Sequence, residues 1–345
     1  MRVLHIHFGK EGGAERFFVN LAKAFSQRGV SQKFIIRPNR SWDEDIAALG
    51  TVIRNNCSQL SPLTLLLHLQ INMLVKKWKP DVVMAWMPRA GRLLRPWPGV
   101  VKLARMGDFP NNLKHFGHCD VLVGNVPGIA SKCYELGWQK PALTISNFPR
   151  PVSPVPVARE TMDTPPEAIV VSASGRFVPR KGFDTLIRAV AQLPGVWLWL
   201  LGDGQERQSL ENLASELGIN GRIRFSGWIA EPIHHIAASD IFVMPSRHEP
   251  LGNTLLEAWQ AGTPSISTRS EGPSWYMRDG IDGLMTEIDS VHEMAAALKK
   301  LIENASLRKS VSANAKERLS QMFSESAVVN EYLRVFSGDF TDTTF

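Results

Sequence analysis

With 345 residues, 44% of them hydrophobic, the chain has enough apolar material for more than one core, and two domains are expected. Cys57, Cys119 and Cys133 stand in no metal-ligand spacing and give no disulfide framework, which points to a reducing, cytoplasmic compartment. The net charge of +6 is uneven: residues 1–150 carry 21 Lys and Arg against 9 Asp and Glu, whereas residues 151–345 carry 18 against 24, so the first half is the one suited to an anionic partner.

The opening Met-Arg-Val-Leu-His-Ile-His-Phe-Gly is too short for a secretion signal and reads as a buried strand. No stretch reaches 18 uninterrupted apolar residues, so no membrane span is expected. Strand-like segments follow at 2–8, 32–37, 82–85, 100–104, 121–124 and 143–146, alternating with helical stretches at 14–28, 62–77 and 126–136. The stretch 148–166 holds six prolines, which deny it a regular helix or central strand, and it reads as a linker over 151–166. The alternation then restarts, with strands at 169–174, 196–201, 223–225, 241–244, 265–267 and 284–286 between helices near 183–192, 206–217, 232–238, 253–261 and 290–303. Short apolar strands between amphipathic helices predict an α/β fold with parallel sheets covered on both faces. The organisation is therefore residues 1–150, the linker, and residues 167–322, with further helix beyond 306 and a polar tail at 337–345.

Several loops carry residues suited to a phosphorylated ligand. Gly9-Lys10-Glu11-Gly12-Gly13-Ala14-Glu15 joins the first strand to the first helix and lets backbone approach a ligand, but it is not GxGxxG. Arg176 and Lys181, in the run Gly175 to Gly182, would reach one pyrophosphate, Arg as a planar fork and Lys as a point charge. Gly202-Asp203-Gly204 is a tight turn that borders a nucleotide or is purely structural. The aromatic and backbone groups of Phe225-Ser226-Gly227-Trp228, after another strand, could hold a base, with Trp228 also plausible as a packed residue. In the run 247–262, Glu249 and Glu257 lie eight apart around Leu251, Gly252, Asn253 and Thr254 at a helix start. Amides at a helix start suit a phosphate, and carboxylates on either side accept from sugar or ribose hydroxyls.

The first half has two further segments of interest. Residues 62–79 read as a core helix capped by basic residues, the alternative being a helix that rests on lipid. Residues 86–98 interleave Arg89, Arg92 and Arg95 with tryptophans and leucines just after a strand, where ligands sit in such sheets. Arginine there can pair with an acidic or phosphorylated glycan, and tryptophan can stack on a sugar or sit at a bilayer interface.

Taken together, E-P-L-G-N-T-L-L-E-A-W-Q-A-G-T-P from Glu249 to Pro264, G-R-x-x-x-x-K-G from Gly175 to Gly182, the Gly202-x-Gly204 turn and G-G-x-E from Gly12 to Glu15 resemble the retaining GT-B glycosyltransferases of family 4 over nearly the whole chain. The resemblance implies two doubly wound Rossmann-like domains facing a cleft, with a final helix near 323–336 packing back on the first domain. It implies that Arg176 and Lys181 hold the donor diphosphate, Glu257 the ribose and Glu249 the donor sugar, and that Gly12 and Gly13 approach the donor phosphates. It also implies retention of configuration, a nucleotide-diphosphate sugar as donor, no bound cofactor and no metal. Two departures stand out: Pro250 replaces a glycine, and only Asn147 survives of the segment before the linker. Asp108, after the strand 100–104, is the match for an acceptor-side residue and is expected to position the acceptor hydroxyl, while His115 and His118 are expected on the surface.

The wording of the motifs resembles bacterial envelope members, so the expected acceptor is a glycan or glycolipid, anionic, of lipopolysaccharide or exopolysaccharide synthesis, at the inner face of the cell membrane. The same fold acting on a soluble small molecule or protein is the alternative. A nonenzymatic protein of anionic surfaces or nucleic acid finds no recognisable nucleic-acid module in its favour, and an oxidoreductase lacks its GxGxxG.

Overall fold

The computed structural model describes residues 1–10, 12–55 and 62–341; Glu11 and Cys57 lie outside the described residues. The chain divides into two compact units, Met1–Phe148 with the stretch from Ser324, and Pro149–Phe323.

In chain order the first unit runs β1 (Arg2–His7), α1 (Gly13–Gln27), β2 (Ser31–Ile36), α2 (Asp43–Ala47), β3 (Gly50–Arg54), α3 (Pro62–Trp78), β4 (Val82–Trp86), α4 (Met87–Gly91), β5 (Val101–Met106), β6 (Val121–Gly124), α5 (Pro127–Glu135) and β7 (Ala142–Thr144). The second has β8 (Ile169–Ser174), α6 (Phe183–Ala191), β9 (Val196–Leu201), α7 (Arg207–Glu216), β10 (Ile223–Phe225), α8 (Ile233–Ala238), β11 (Ile241–Met244), α9 (Asn253–Ala261), β12 (Ser265–Thr268), α10 (Glu271–Tyr276), β13 (Leu284–Thr286), α11 (Val291–Glu303) and α12 (Ala305–Met322); α13 (Glu325–Phe336) belongs to the first unit.

Each unit is one parallel sheet, ordered β3-β2-β1-β4-β5-β6-β7 in the first and β10-β9-β8-β11-β12-β13 in the second. This is the doubly wound α/β arrangement, and the strand order reverses between β1 and β4 and between β8 and β11. At those two points the carboxyl ends of the strands leave a crevice where ligands bind in such sheets. Among the described residues no helix is long and apolar enough to cross a membrane.

The strands are near-continuous apolar runs because both faces of each sheet are covered. In β1 both histidines are buried: the His5 ring stacks on Phe34 at 5.2 Å and pairs with Gln32 at 3.0 Å, while Gln32 donates to Ala22 O at 2.8 Å. Burial pushes the His5 imidazole down to about 3; it does the same to His7, where Arg105 and His5 add to the effect. Both rings are therefore neutral core groups. α13 packs Tyr332 and Phe336 on Phe25 of α1, at 5.9 and 5.2 Å between ring centres.

The strand β3 is not among those anticipated from the sequence. It is an edge strand whose Thr51 and Arg54 are exposed, so it lacks the apolar signature of the inner strands. The five-residue helices α2 and α4 are too short to show a helical period. The proline-rich stretch lies along the second unit: Gln260 Nε2 donates to Arg150 O and Val152 O, at 2.6 and 3.0 Å, and Arg159 pairs with Asp240 at 3.1 Å. Its carbonyls are available because prolines leave the sheet-type pairing of their own segment incomplete.

Cys119 and Cys133 are buried free thiols, which burial pushes up to about 12 and about 11; they are inert core groups.

Candidate functional site

In the second unit, two loops leave the carboxyl ends of β8 and β11, at the point where the strand order reverses. The first, 175–182, ends in Gly182, whose left-handed φ of +65° lets α6 begin directly beneath the second loop. A Cβ on Gly182 would lie 2.1 Å from the carbonyl oxygen of Pro245, so only glycine permits this approach. Immediately before it, Lys181 Nζ forms an ion pair with Glu249 Oε2; the two side chains are only 16% and 13% exposed. Ser246 Oγ also donates to Glu249 Oε2, at 3.3 Å. Arg176 is exposed on the same first loop.

The second loop is fixed from several sides. Arg247 pairs with Asp184 on α6 and with Asp289, both at 2.7 Å. Glu271, the first residue of α10, accepts from Glu249 N at 3.0 Å and pairs with His248 Nδ1 at 2.7 Å. Burial would raise the Glu271 carboxyl, but the N–H groups of Glu271 and Glu249 and the His248 imidazole outweigh it and hold it below its usual value. Tyr276 donates to Leu251 O at 2.8 Å, and burial, helped by the nearby Glu249 charge, keeps its phenol protonated well beyond neutral pH. Glu271 and Tyr276 were not singled out from sequence, because nothing in Ser270-Glu271-Gly272 marks a residue that supports another loop's backbone.

Gly252, at φ +91°, leads into α9 and leaves its N-terminus without a side-chain cap. The amides of Leu255 and Leu256 turn back to Gly252 O, so Asn253 and Thr254, both half-buried, form the leading edge of the helix. Glu257 lies one turn further on and is half-buried. The arrangement offers an anion the positive end of a nine-residue helix, with cations on the neighbouring loop.

Gly202 and Gly204 have a clear structural reason. A Cβ on Gly202 would sit 2.0 Å from Gly175 O, and one on Gly204 would sit 2.4 Å from Phe177 O. The turn is pressed against the 175–177 backbone, and Phe177 N donates to Asp203 O at 2.9 Å. It supports the loop that carries Arg176 and Lys181. Phe225 is half-buried between Phe177 and the Arg207 guanidinium. Trp228 is 64% exposed, so its reading as a packed residue does not hold.

The first unit has its own crevice at the β1–β4 reversal, a cavity of about 470 Å³. Lys10, Glu15, Met87, Arg89, Arg92 and His115 line it together with Phe8, Gly9, Trp86 and Pro88. Gly12 and Gly13 open α1 beside it; Gly12 is the residue before the helix, again with no side-chain cap. Glu15 is buried, and Gly9 makes room for it: a Cβ there would lie 1.9 Å from Glu15 Oε1. Behind it stands the fully buried Arg105, stacked on Phe17 and Trp86 at 4.7 and 5.3 Å and donating to Asn147 Oδ1. This gives Asn147 a role in the core of the first unit. Asp108 is exposed on the loop after β5, where its Oδ1 accepts from Phe109 N at 2.9 Å, and it is not among the residues lining the cavity.

The arginine-rich run 86–98 separates into two parts. Arg89 and Arg92 line the cavity, whereas Arg95 bonds to His68 at 3.1 Å and Trp97 to Asn72 at 2.9 Å, tying the run to α3. His115, expected on the surface, is half-buried in the cavity wall; burial lowers its pKa, and Lys114 and Arg92 lower it further. The chain contains one Asp-x-Asp, Asp43-Glu44-Asp45, and its carboxylates are paired with Arg54 and Lys23, each at 2.7 Å.

Similarity to known proteins agrees with this layout. Residues 157–318, which hold the two loops of the second unit, match the family model described as glycosyl transferases group 1. The chain is 48% identical to the lipopolysaccharide core biosynthesis glycosyltransferase LpsE of Rhizobium meliloti (strain 1021), over 98% of this chain and 99% of that one. It is 44% identical to LpsD of the same strain, over 97% and 98% of the two chains. Among solved structures, Anabaena HepE in complex with UDP and glucose matches 98% of this chain and 100% of its own with a TM-score of 0.83 at 20% identity, a likeness of the GT-B fold. Two parallel doubly wound sheets, a paired lysine and glutamate where the second sheet reverses, and end-to-end identity to two such enzymes lead to one conclusion: the chain belongs to the group 1 glycosyl transferases and is a glycosyltransferase.

Proposed function

We propose that the chain moves a sugar from a nucleotide-diphosphate sugar to a hydroxyl of a lipopolysaccharide core or related envelope glycan, with retention of configuration and without a metal ion or bound cofactor. The observation that carries the donor side is the Lys181–Glu249 pair beside the uncapped start of α9. In the reaction the bond from the anomeric carbon to the diphosphate breaks, and a bond to the acceptor oxygen forms on the same face of the ring. The acceptor proton passes to the departing diphosphate. Negative charge therefore grows on the leaving group, and fixed cations and helix amides stabilise it without reorganising. Lys181 and Arg176 are the cations in this reading, with Asn253 and Thr254 at the helix start. Glu249 faces the donor sugar, Glu257 accepts from the ribose hydroxyls and Asp108 positions the acceptor.

The lipopolysaccharide acceptor is carried over from LpsE and LpsD. Such an acceptor is lipid-borne, and the reading places the enzyme in the cytoplasm, in peripheral contact with the inner face of the membrane. α3 favours that contact. It buries Leu67, Ile71 and Val75, but leaves Leu65, Leu66, Leu69 and Met73 52–67% exposed as a stripe, with Lys76 and Lys77 in its last turn. An exposed apolar stripe with adjacent lysines suits an anionic bilayer.

The test is transfer to a truncated lipopolysaccharide core with UDP-, GDP- and ADP-sugars in the presence of EDTA, with the product anomer assigned by NMR. One nucleotide class should raise thermal stability and support transfer with retention, and Glu257→Ala should weaken both. Activity restored only by a divalent cation, or an inverted product, would overturn the mechanistic part; transfer to a soluble acceptor alone would overturn the envelope part.

A further inference from the structure

We propose that the cavity between the ends of β1 and β4 is an acceptor subsite that takes an anionic sugar, one carrying a carboxylate or a phosphate, gripped by Arg89 and Arg92 with Lys10 beside them. The proposal rests on the glycosyltransferase reading above and adds to it the chemical class of the acceptor and the residues that select it.

Among the described residues the lining carries three full cations, Lys10, Arg89 and Arg92, against one carboxylate, Glu15. That carboxylate is held at the back of the cavity against Gly9, and the buried Arg105 guanidinium lies close enough for its charge to act on it. Glu15 is thus balanced from the core side. Arg92 Nε donates to Arg89 O at 3.3 Å, and among the described residues neither guanidinium pairs with a carboxylate. Two arginines in the lining of one concave site match the oxygens of a carboxylate or phosphate, and the concavity concentrates their field.

The rest of the cavity suits a sugar ring. Its volume of about 470 Å³ is that of a small-molecule site, Phe8 and Pro88 supply apolar wall, and His115 supplies a neutral donor and acceptor. The chain reaches this geometry by an unusual step. Met87, directly after β4, takes a left-handed φ of +65°, a conformation a methionine rarely adopts, and the turn it starts brings Arg89 of α4 and Arg92, just after that helix, into the lining of the cavity.

The test is isothermal titration of glucuronate, glucose 6-phosphate and glucose into the full chain and into two double variants, Arg89→Gln/Arg92→Gln and Arg176→Gln/Lys181→Gln. The expected result is binding of at least one anionic sugar about tenfold or more tighter than glucose, a preference lost in the first variant and kept in the second. Binding of glucuronate alone assigns a sugar acid, binding of glucose 6-phosphate alone a phosphorylated sugar, and either supports the site. No preference over glucose, a preference that survives Arg89→Gln/Arg92→Gln, or one lost only with Arg176 and Lys181 would overturn it. Unchanged thermal unfolding of the first variant guards against a folding defect. Nucleotide binding separates the two readings: if UDP, GDP or ADP binds and no anionic preference exists, this inference alone fails, whereas absence of all nucleotide binding counts against the donor site.

Discussion

Gly182→Ala tests whether the loop carrying Lys181 is placed by a close backbone approach. Two costs add. An L-residue at φ +65° carries a left-handed penalty of about 1–2 kcal/mol. The new methyl would also stand 2.1 Å from Pro245 O, well inside any tolerated separation, so the 175–182 loop and the chain after β11 must part, at an overpacking cost of about 1–3 kcal/mol. The sum is about 2–5 kcal/mol, which in a unit of this size lowers Tm by about 4–20 °C. Gly218 supplies the control: its φ of +68° is nearly the same, but nothing lies within 4 Å of its added Cβ. Gly218→Ala should therefore show the conformational penalty alone, about 2–8 °C. The assay is differential scanning calorimetry of both variants, followed by turnover at a temperature where both are folded. Gly182→Ala should lose activity beyond its stability loss, because Lys181 is its neighbour and moves with it. Equal Tm shifts for the two variants, or full turnover in a destabilised Gly182→Ala, would refute the reasoning.

Other outcomes follow from the same geometry. Lys181→Met leaves Glu249 mostly buried without its cation and should cost about 2–3 kcal/mol, between the surface and fully buried cases, while Lys181→Met/Glu249→Gln should regain much of that stability and none of the activity; chemical denaturation and turnover check the two halves. Asn147→Ala removes the acceptor of the buried Arg105 and should cost about 1–3 kcal/mol by the same measurement, with nucleotide binding unchanged. Acid should destabilise the first unit through His5 and His7. Their folded values near 3 lie below the ordinary 6.5, so the unfolded chain binds more protons between those limits; stability is complete above about 6.5 and falls as pH drops toward 3. Each ring contributes up to about 1.4 kcal/mol per pH unit in that window, and His7→Asn should flatten the dependence measured by urea titration at several pH values.

Much of the fold is legible in the letters because parallel strands covered on both faces leave unbroken apolar runs. Val82–Trp86 and Ile241–Met244 are such runs, and their positions between helices already give two doubly wound sheets. What escapes is whatever carries no periodic signal. β3 is a half-exposed edge strand, and α2 and α4 are single turns. The proline-rich stretch reads as a linker by composition, and no letter reveals that Gln260 and Arg159 anchor it along the second unit.

The candidate site divides along the same physical line. Side chains whose chemistry is strong and local are legible: Lys181 and Glu249 can be named from spacing, and the structure puts them in one ion pair. Residues that act by shape or by supporting others are not. Gly202 and Gly204 read in sequence as a turn that borders a nucleotide or is purely structural, and only the structure shows the backbone of Gly175 and Phe177 as a reason for glycine there. Glu271 carries no signal in the sequence, yet it holds Glu249 N and His248. His115 lies far from β1 and β4 in sequence and becomes a wall residue of the cavity only through folding. The run 86–98 makes the distinction within a few residues, since Arg89 and Arg92 line the cavity while Arg95 and Trp97 fasten the run to α3. That division predicts unlike phenotypes for like substitutions: Arg92→Gln should change acceptor selectivity at constant Tm, and Arg95→Gln should lower Tm at constant selectivity.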